Sequence, residues 1–242
     1  MPPKLAVCWP WNAAFVYTAF VDSILGINQP ENCETRWIRS SGWSNARRRI
    51  AGCEKALQWG AKYITMLDAD QVYPPDILQK FMAHLESGKD MVAAMVPQRG
   101  YTAGCGMKPF QRLAWKTENN QTLIPVKVED GELQQAVLPS CAAIAFKSDL
   151  LSRLNKPWFT DTYDKETLER HFAEDLNFVL NSVKQGVEPW VDTTINIKHL
   201  HLFQIDDTFS SRFSDWEQEG GDPSICRYEV KKHRWFPNRG WK

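Results

Sequence analysis

The chain has 242 residues, and its 29 basic and 29 acidic side chains cancel to a net charge of zero. A neutral protein of this size has no global field with which to hold nucleic acid or an anionic membrane. Hydrophobic residues at 43% and charged residues at 24% exclude a disordered or membrane-embedded chain and fit an ordinary globular core.

The length suits one generous domain or two merged lobes. Met1-Pro2-Pro3-Lys4 leads directly into a short apolar strand with no signal-peptide core. No run approaches the roughly 18 apolar residues of a membrane helix, so a cytoplasmic protein is expected. Cys8, Cys33, Cys53, Cys105, Cys141 and Cys226 are scattered without a CxxC pair. They are expected to be mostly buried free thiols in a reducing compartment.

Leu5 to Trp9 reads as a buried strand ended by Pro10. Asn12 is placed to cap a helix over Ala13 to Leu25, before Gly26. Thr35 to Arg39 is a second strand. Ser44 is the expected cap of a helix from Asn45 to Trp59, stopped by Gly60. The opening turns of that helix carry Arg47, Arg48 and Arg49, and a solvated face is the expected place for the last two.

Tyr63 to Asp70 is an apolar run that ends in two carboxylates, Asp68 and Asp70, before Pro74-Pro75. In extended backbone, residues i and i+2 point to one side, so the two carboxylates are expected together where a buried strand meets solvent. Like charges that close repel, and a cation between them resolves the conflict. Hard carboxylate oxygens suit Mg²⁺ or Mn²⁺, which in turn suit phosphate oxygens.

A helix over Asp76 to Glu86 and a buried strand over Met91 to Met95 follow. Strands alternate with helices through this half, which predicts βαβ units and a parallel sheet. Ligands of such sheets bind beyond the carboxyl ends of the strands, where Asp68 and Asp70 lie. The second half breaks the pattern. Gln98 to Arg112 is irregular, and Leu123–Val128 with Leu133–Leu138 predict a hairpin about Asp130-Gly131. Ala142 to Phe146 is an apolar strand with a short helix after Ser148. Ala173 to Val183 is a helix opening with Glu174-Asp175. Trp190 to Asp192 and Ile195 to Ile197 then lead into Lys198-His199-Leu200-His201. From Arg227 to Lys242 six basic residues face the single acid Glu229 among Tyr228, Trp235, Phe236 and Trp241.

Ser44-Asn45-Ala46-Arg47, the run ending Asp68-Ala69-Asp70, Asn155-Lys156-Pro157-Trp158-Phe159, Ala173-Glu174-Asp175-Leu176-Asn177-Phe178 and Val191-Asp192 through Lys198-His199 follow in a telling order. In it the chain resembles the nucleotide-sugar glycosyltransferases of the GT-A fold, especially the family 2-like group. The resemblance runs from Leu5 to about His201. It implies an α/β fold: a Rossmann-like, mostly parallel central sheet flanked by helices, with a smaller antiparallel sheet on the acceptor side. It implies one domain over 1–242, with a nucleotide-sugar half (1–97), an acceptor half (98–203) and a basic aromatic extension (204–242).

The resemblance also assigns roles. Asp70 binds the divalent cation, Mn²⁺ or Mg²⁺, directly. Asp68 contacts ribose or, through water, the metal, and His199 completes the metal site. His201 stands where many relatives carry glycine. Asp175 faces the acceptor as base, with Glu174 its structural neighbour. Pro10, Trp11, Asn12 and Ala69 lie along the nucleotide sugar, and Arg47 approaches its base or diphosphate. A UDP-sugar is the expected donor, with inversion at the anomeric carbon. The acceptor is left open among a glycan, a lipid, a protein and a nucleic acid such as a modified DNA base. A nucleotidyltransferase acting on sugar phosphates and an inactive nucleotide-sugar-binding module are the competing expectations.

Overall fold

In the computed structural model, residues 1–11, 16–97, 114–118 and 122–200 are described. All described residues fall within one compact unit, residues 1–97 with 112–200.

In chain order the elements are β1 (Lys4–Pro10), α1 (Thr18–Leu25), β2 (Glu34–Ser40), α2 (Asn45–Trp59), β3 (Tyr63–Leu67), β4 (Gln71–Val72), α3 (Ile77–Glu86) and β5 (Met91–Met95). They continue as β6 (Ala114–Glu118), β7 (Thr122–Pro125), β8 (Leu133–Gln135), β9 (Leu138–Pro139), β10 (Ala143–Lys147) and α4 (Leu150–Arg153). Last come β11 (Thr162–Tyr163), β12 (Arg170–Phe172), α5 (Glu174–Lys184), β13 (Pro189–Asn196) and β14 (Lys198–His199).

The main sheet has seven strands in the order β2-β1-β3-β10-β5-β13-β8. β2, β1, β3, β5 and β13 run one way, while β10, between β3 and β5, and β8 at the edge run the other. The alternation of side chains along each strand builds two cores. Ala6, Cys8, Ile64, Met66 and Phe146 face α2 and α5, where Phe178 stacks on Phe159 at 4.3 Å. Leu5, Val7, Tyr63 and Val92 face α3, packing on Phe81 and Leu78. The result is a mostly parallel sheet with helices on both sides and small antiparallel sheets beside it, as in the GT-A fold.

α2 matches the expected bounds, and its ends show why. The Ser44 hydroxyl accepts from Arg47 N at 3.1 Å, and Gly60 adopts φ +77°, a left-handed turn that closes the helix at little cost only in glycine. Gly52 lets the helix lie close on β1, since a Cβ there would stand 3.2 Å from Cys8 Cβ.

Three expectations need correction. α1 begins at Thr18, because Val16 and Tyr17 come before the helix and Tyr17, its cap residue, is extended; Asn12 lies outside the described residues. The hairpin about Asp130-Gly131 does not form. β7 pairs instead with β6, a 3₁₀ turn occupies Val128–Asp130, and β8 joins the main sheet against β13. Finally, β3 ends at Leu67, so Asp68 and Asp70 sit in the turn beyond it and not on one extended face. Cys8, Cys53 and Cys141 are buried free thiols and Cys33 is half-buried; Cys105 and Cys226 lie outside the described residues. Among the described residues no helix is long and apolar enough to cross a membrane.

Candidate functional site

The carboxyl ends of β1, β2 and β3 lie side by side, and the turns leaving them enclose a cleft of about 460 Å³. Pro10 and Trp11 line it from the end of β1, Val16 and Tyr17 from the approach to α1, and Asn45, Arg48 and Arg49 from the start of α2. Asp68, Ala69 and Asp70 form the remaining wall. Of the residues expected along a nucleotide sugar, Pro10, Trp11, Asp68 and Ala69 therefore meet in one place.

The arginines of α2 reverse the expectation. Arg47 turns away from the cleft to Glu54 on the outer helix face, at 3.7 Å and half exposed. Arg48 lines the cleft, donating to the Gly42 carbonyl at 3.0 Å and to Asn45 Oδ1 at 2.9 Å. Arg49 is buried, with 5% of its side chain exposed. Its Nη2 donates to Asp68 Oδ2 at 3.0 Å, its Nη1 to the Cys141 carbonyl at 3.2 Å and its Nε to Glu174 Oε1 at 3.4 Å. Helical phase explains the inversion. Arg49 falls on the stripe of Cys53 and Ala56, at i+4 and i+7, which packs on the sheet.

Charge follows from this packing. Burial works against the Arg49 cation, but Asp68 beside it, with Asp175 and Glu174, more than restores it and holds its pKa above the usual value. Burial pushes the Asp68 carboxyl up to about 6, against the pull of Arg49 and with the repulsion of Asp70 and Asp175. Its Oδ1 is shut away without a hydrogen-bond partner. The Tyr73 hydroxyl donates to the Asp68 carbonyl at 2.6 Å and fixes the start of the turn.

Asp70 faces elsewhere. Its Oδ2 stands 3.5 Å from His199 Nε2, which is brought in by the pairing of β14 with β4 and by Leu200 N donating to the Asp70 carbonyl at 2.7 Å. His199 Nδ1 lies 2.8 Å from the Pro97 carbonyl. A carbonyl only accepts, so that nitrogen carries a proton, and Nε2 is the ring atom turned towards the Asp70 carboxylate. A carboxylate oxygen and an imidazole nitrogen so placed are of the types that can share a divalent cation.

On the far side, α5 opens with Glu174, 4% exposed and held by Arg49, and with Asp175, whose Oδ1 accepts from Leu176 N at 2.8 Å. The helix has no side-chain cap at Ala173. Asp175 acts electrostatically on Asp68, Arg49 and Cys141, which places it in the same charge cluster. His201 lies outside the described residues.

As to metal, Asp70 and His199 are a carboxylate–imidazole pair with the ring proton already engaged, the arrangement by which a backbone carbonyl orients a metal-binding histidine. Asp68 is taken up by Arg49. Among the described residues no group of three or more His, Cys, Asp or Glu side chains gathers in metal-holding geometry. Two protein ligands suffice for an ion that keeps waters and substrate phosphates as its other ligands. The residues present fit such an ion.

Comparison with known proteins agrees with the fold. Residues 31–134, from β2 through β8, match Glycosyl transferase family 2. No curated protein sequence matches the chain. Among solved structures, A197 from STIV shares the fold, with a TM-score of 0.57 over 82% of this chain and 86% of that one at 13% identity. The motifs, the sheet order and the family match converge: the chain is of GT-A type and similar to glycosyl transferase family 2.

Proposed function

We propose that the protein is a divalent-metal-dependent glycosyltransferase that takes a nucleotide sugar, a UDP-sugar above all, and passes the sugar to an acceptor hydroxyl. The family 2 match supports glycosyl transfer in general. The observation that carries the finer reading is His199 Nε2 standing 3.5 Å from Oδ2 of Asp70, which lines the cleft.

Each residue then has a task. Pro10, Trp11 and Tyr17 form the wall against which the nucleoside lies, and Arg48 offers a cation on the opposite wall. Asp70 and His199 hold the ion, Mn²⁺ or Mg²⁺, beside the diphosphate. When bound there, the ion supplies positive charge against the departing nucleoside diphosphate. Arg49 spreads its charge between Asp68 and Glu174, leaving Asp70 and Asp175 as the carboxylates that meet ligands. Asp175 accepts the proton of the attacking hydroxyl, which is a weak nucleophile until relieved of it. Such a base contributes about 10²–10⁴-fold.

The test is a screen of nucleotide sugars for hydrolysis, read as release of the nucleoside diphosphate, followed by an acceptor screen with the best donor. A UDP-sugar hydrolysed with Mn²⁺ or Mg²⁺ and not with excess chelator is the expected result. Equal hydrolysis with and without the ion contradicts metal dependence, and no release from any nucleotide sugar contradicts the function.

A further inference from the structure

Arg49 touches three separate parts of the chain through three different nitrogens: the turn after β3, the turn before β10 and the first turn of α5. Two of its partners are carboxylates on opposite sides of the proposed reaction, Asp68 on the donor side and Glu174 on the acceptor side. Glu174 is 4% exposed and α5 has no side-chain cap, so this ion pair is the charged tie of the helix's first turn, beside Cys141 Sγ donating to the Asp175 carbonyl at 3.6 Å and Asn177 Nδ2 donating to the Thr160 carbonyl at 2.6 Å. The next residue along that turn is Asp175.

From this we infer that Arg49 and Glu174 together are positioning residues, setting the Asp175 carboxylate in register with the donor held at Asp68-Ala69-Asp70. The inference rests on the reading of Asp175 as base. It assigns no contact with substrate to either residue. A planar guanidinium serves three acceptors in fixed directions, whereas an ammonium on a flexible stem cannot hold the same three at once. Freed from Arg49, the first turn of α5 loses its tie to α2 and to the β3 turn, while the β3 turn keeps its own tie to Ala142 through Asp68 N, at 2.9 Å. Donor binding and acceptor activation should thus come apart.

The experiment compares wild type, Glu174→Gln, Glu174→Ala and Arg49→Lys in UDP binding with Mn²⁺ by calorimetry, and in hydrolysis of the best nucleotide sugar. For the Glu174 variants we expect UDP–Mn²⁺ affinity within about twofold of wild type and kcat at least about tenfold lower. Glu174→Gln should retain more activity than Glu174→Ala, because its amide oxygen still accepts from Arg49. In the Arg49→Lys background, adding Glu174→Ala should lower kcat no further, the non-additivity of residues acting as one unit. A kcat within twofold of wild type in Glu174→Ala, or an equal loss of nucleotide affinity, overturns the inference.

Amide hydrogen exchange gives a readout independent of activity. Residues 175–178 should exchange at least about tenfold faster in Arg49→Lys and Glu174→Ala, with those of β1 and β3 unchanged. Unchanged exchange in α5 overturns the tie itself. A wild type that hydrolyses no nucleotide sugar overturns the proposed function and with it the catalytic purpose of the tie, whereas the exchange result still decides whether Arg49 holds the turn.

Discussion

Two acidic pairs border the site, one in the turn after β3 and one at the start of α5, and each divides its labour in the same way. Asp68 and Glu174 pair with the buried Arg49, while Asp70 lines the cleft beside His199 and Asp175 Oδ1 accepts from Leu176 N. The backbones differ, a turn with i, i+2 spacing in one and a helix start with i, i+1 spacing in the other. A shared arginine, rather than a shared backbone pattern, therefore binds one carboxylate of each pair. One arginine cannot neutralise four carboxylates, and in the proposed function a divalent ion would relieve the excess negative charge around Asp70.

The sharpest break in the symmetry is catalytic. Asp175→Asn, which preserves size, should cut kcat by about 10²–10⁴-fold with the melting temperature and UDP affinity near wild type. Near-normal turnover would remove Asp175 from its role as base. Next in size is the shared cation. Arg49→Met leaves two largely buried carboxylates unpaired and should cost about 3–5 kcal/mol in denaturant unfolding. Arg47→Met, on the same helix but paired only at the surface, should stay within about 0.5 kcal/mol. Similar losses from the two would mean that Arg49 is no more than another surface charge.

The smallest effect concerns Asp90, far from the cleft. Burial acts to raise its pKa, but hydrogen bonds from Lys147 at 2.9 Å and Arg153 at 3.3 Å bring it below its ordinary value of 3.8. Its folded pKa is thus lower than its unfolded one. The stability it contributes is present above about pH 4 and is lost as pH falls through the folded value. Asp90→Asn should make the melting temperature slightly less sensitive to acid below pH 4, and an unchanged acid limb would contradict the link.

The donor side of the site was legible because local signals there agreed. Ser44 and Gly60 bounded α2, Pro10 ended β1, and an apolar run delivered Asp68 and Asp70 to the sheet edge. Arg49 was hidden in a run of three arginines that reads as a solvated face. Its only signal was phase, four and seven residues before the buried Cys53 and Ala56. The direction of β10 left no trace, since a strand buried on both faces is apolar throughout whether it runs parallel or not. The false hairpin had a good turn in Asp130-Gly131. Yet Gln134 donates across that turn to the carbonyls of Lys127 and Gly131, and long-range pairing drew β8 to β13. Nothing local in a sequence encodes such a partner.

In the proposed function Asp70 and His199 hold an ion that in turn holds a nucleoside diphosphate. Calorimetric titration of UDP into wild type and Asp70→Ala, each with Mn²⁺ and with excess chelator, tests it most directly. Binding by wild type is expected to depend on Mn²⁺ and to be lost in Asp70→Ala. Equal UDP affinity with and without Mn²⁺, or metal-dependent binding that survives in Asp70→Ala, would contradict it.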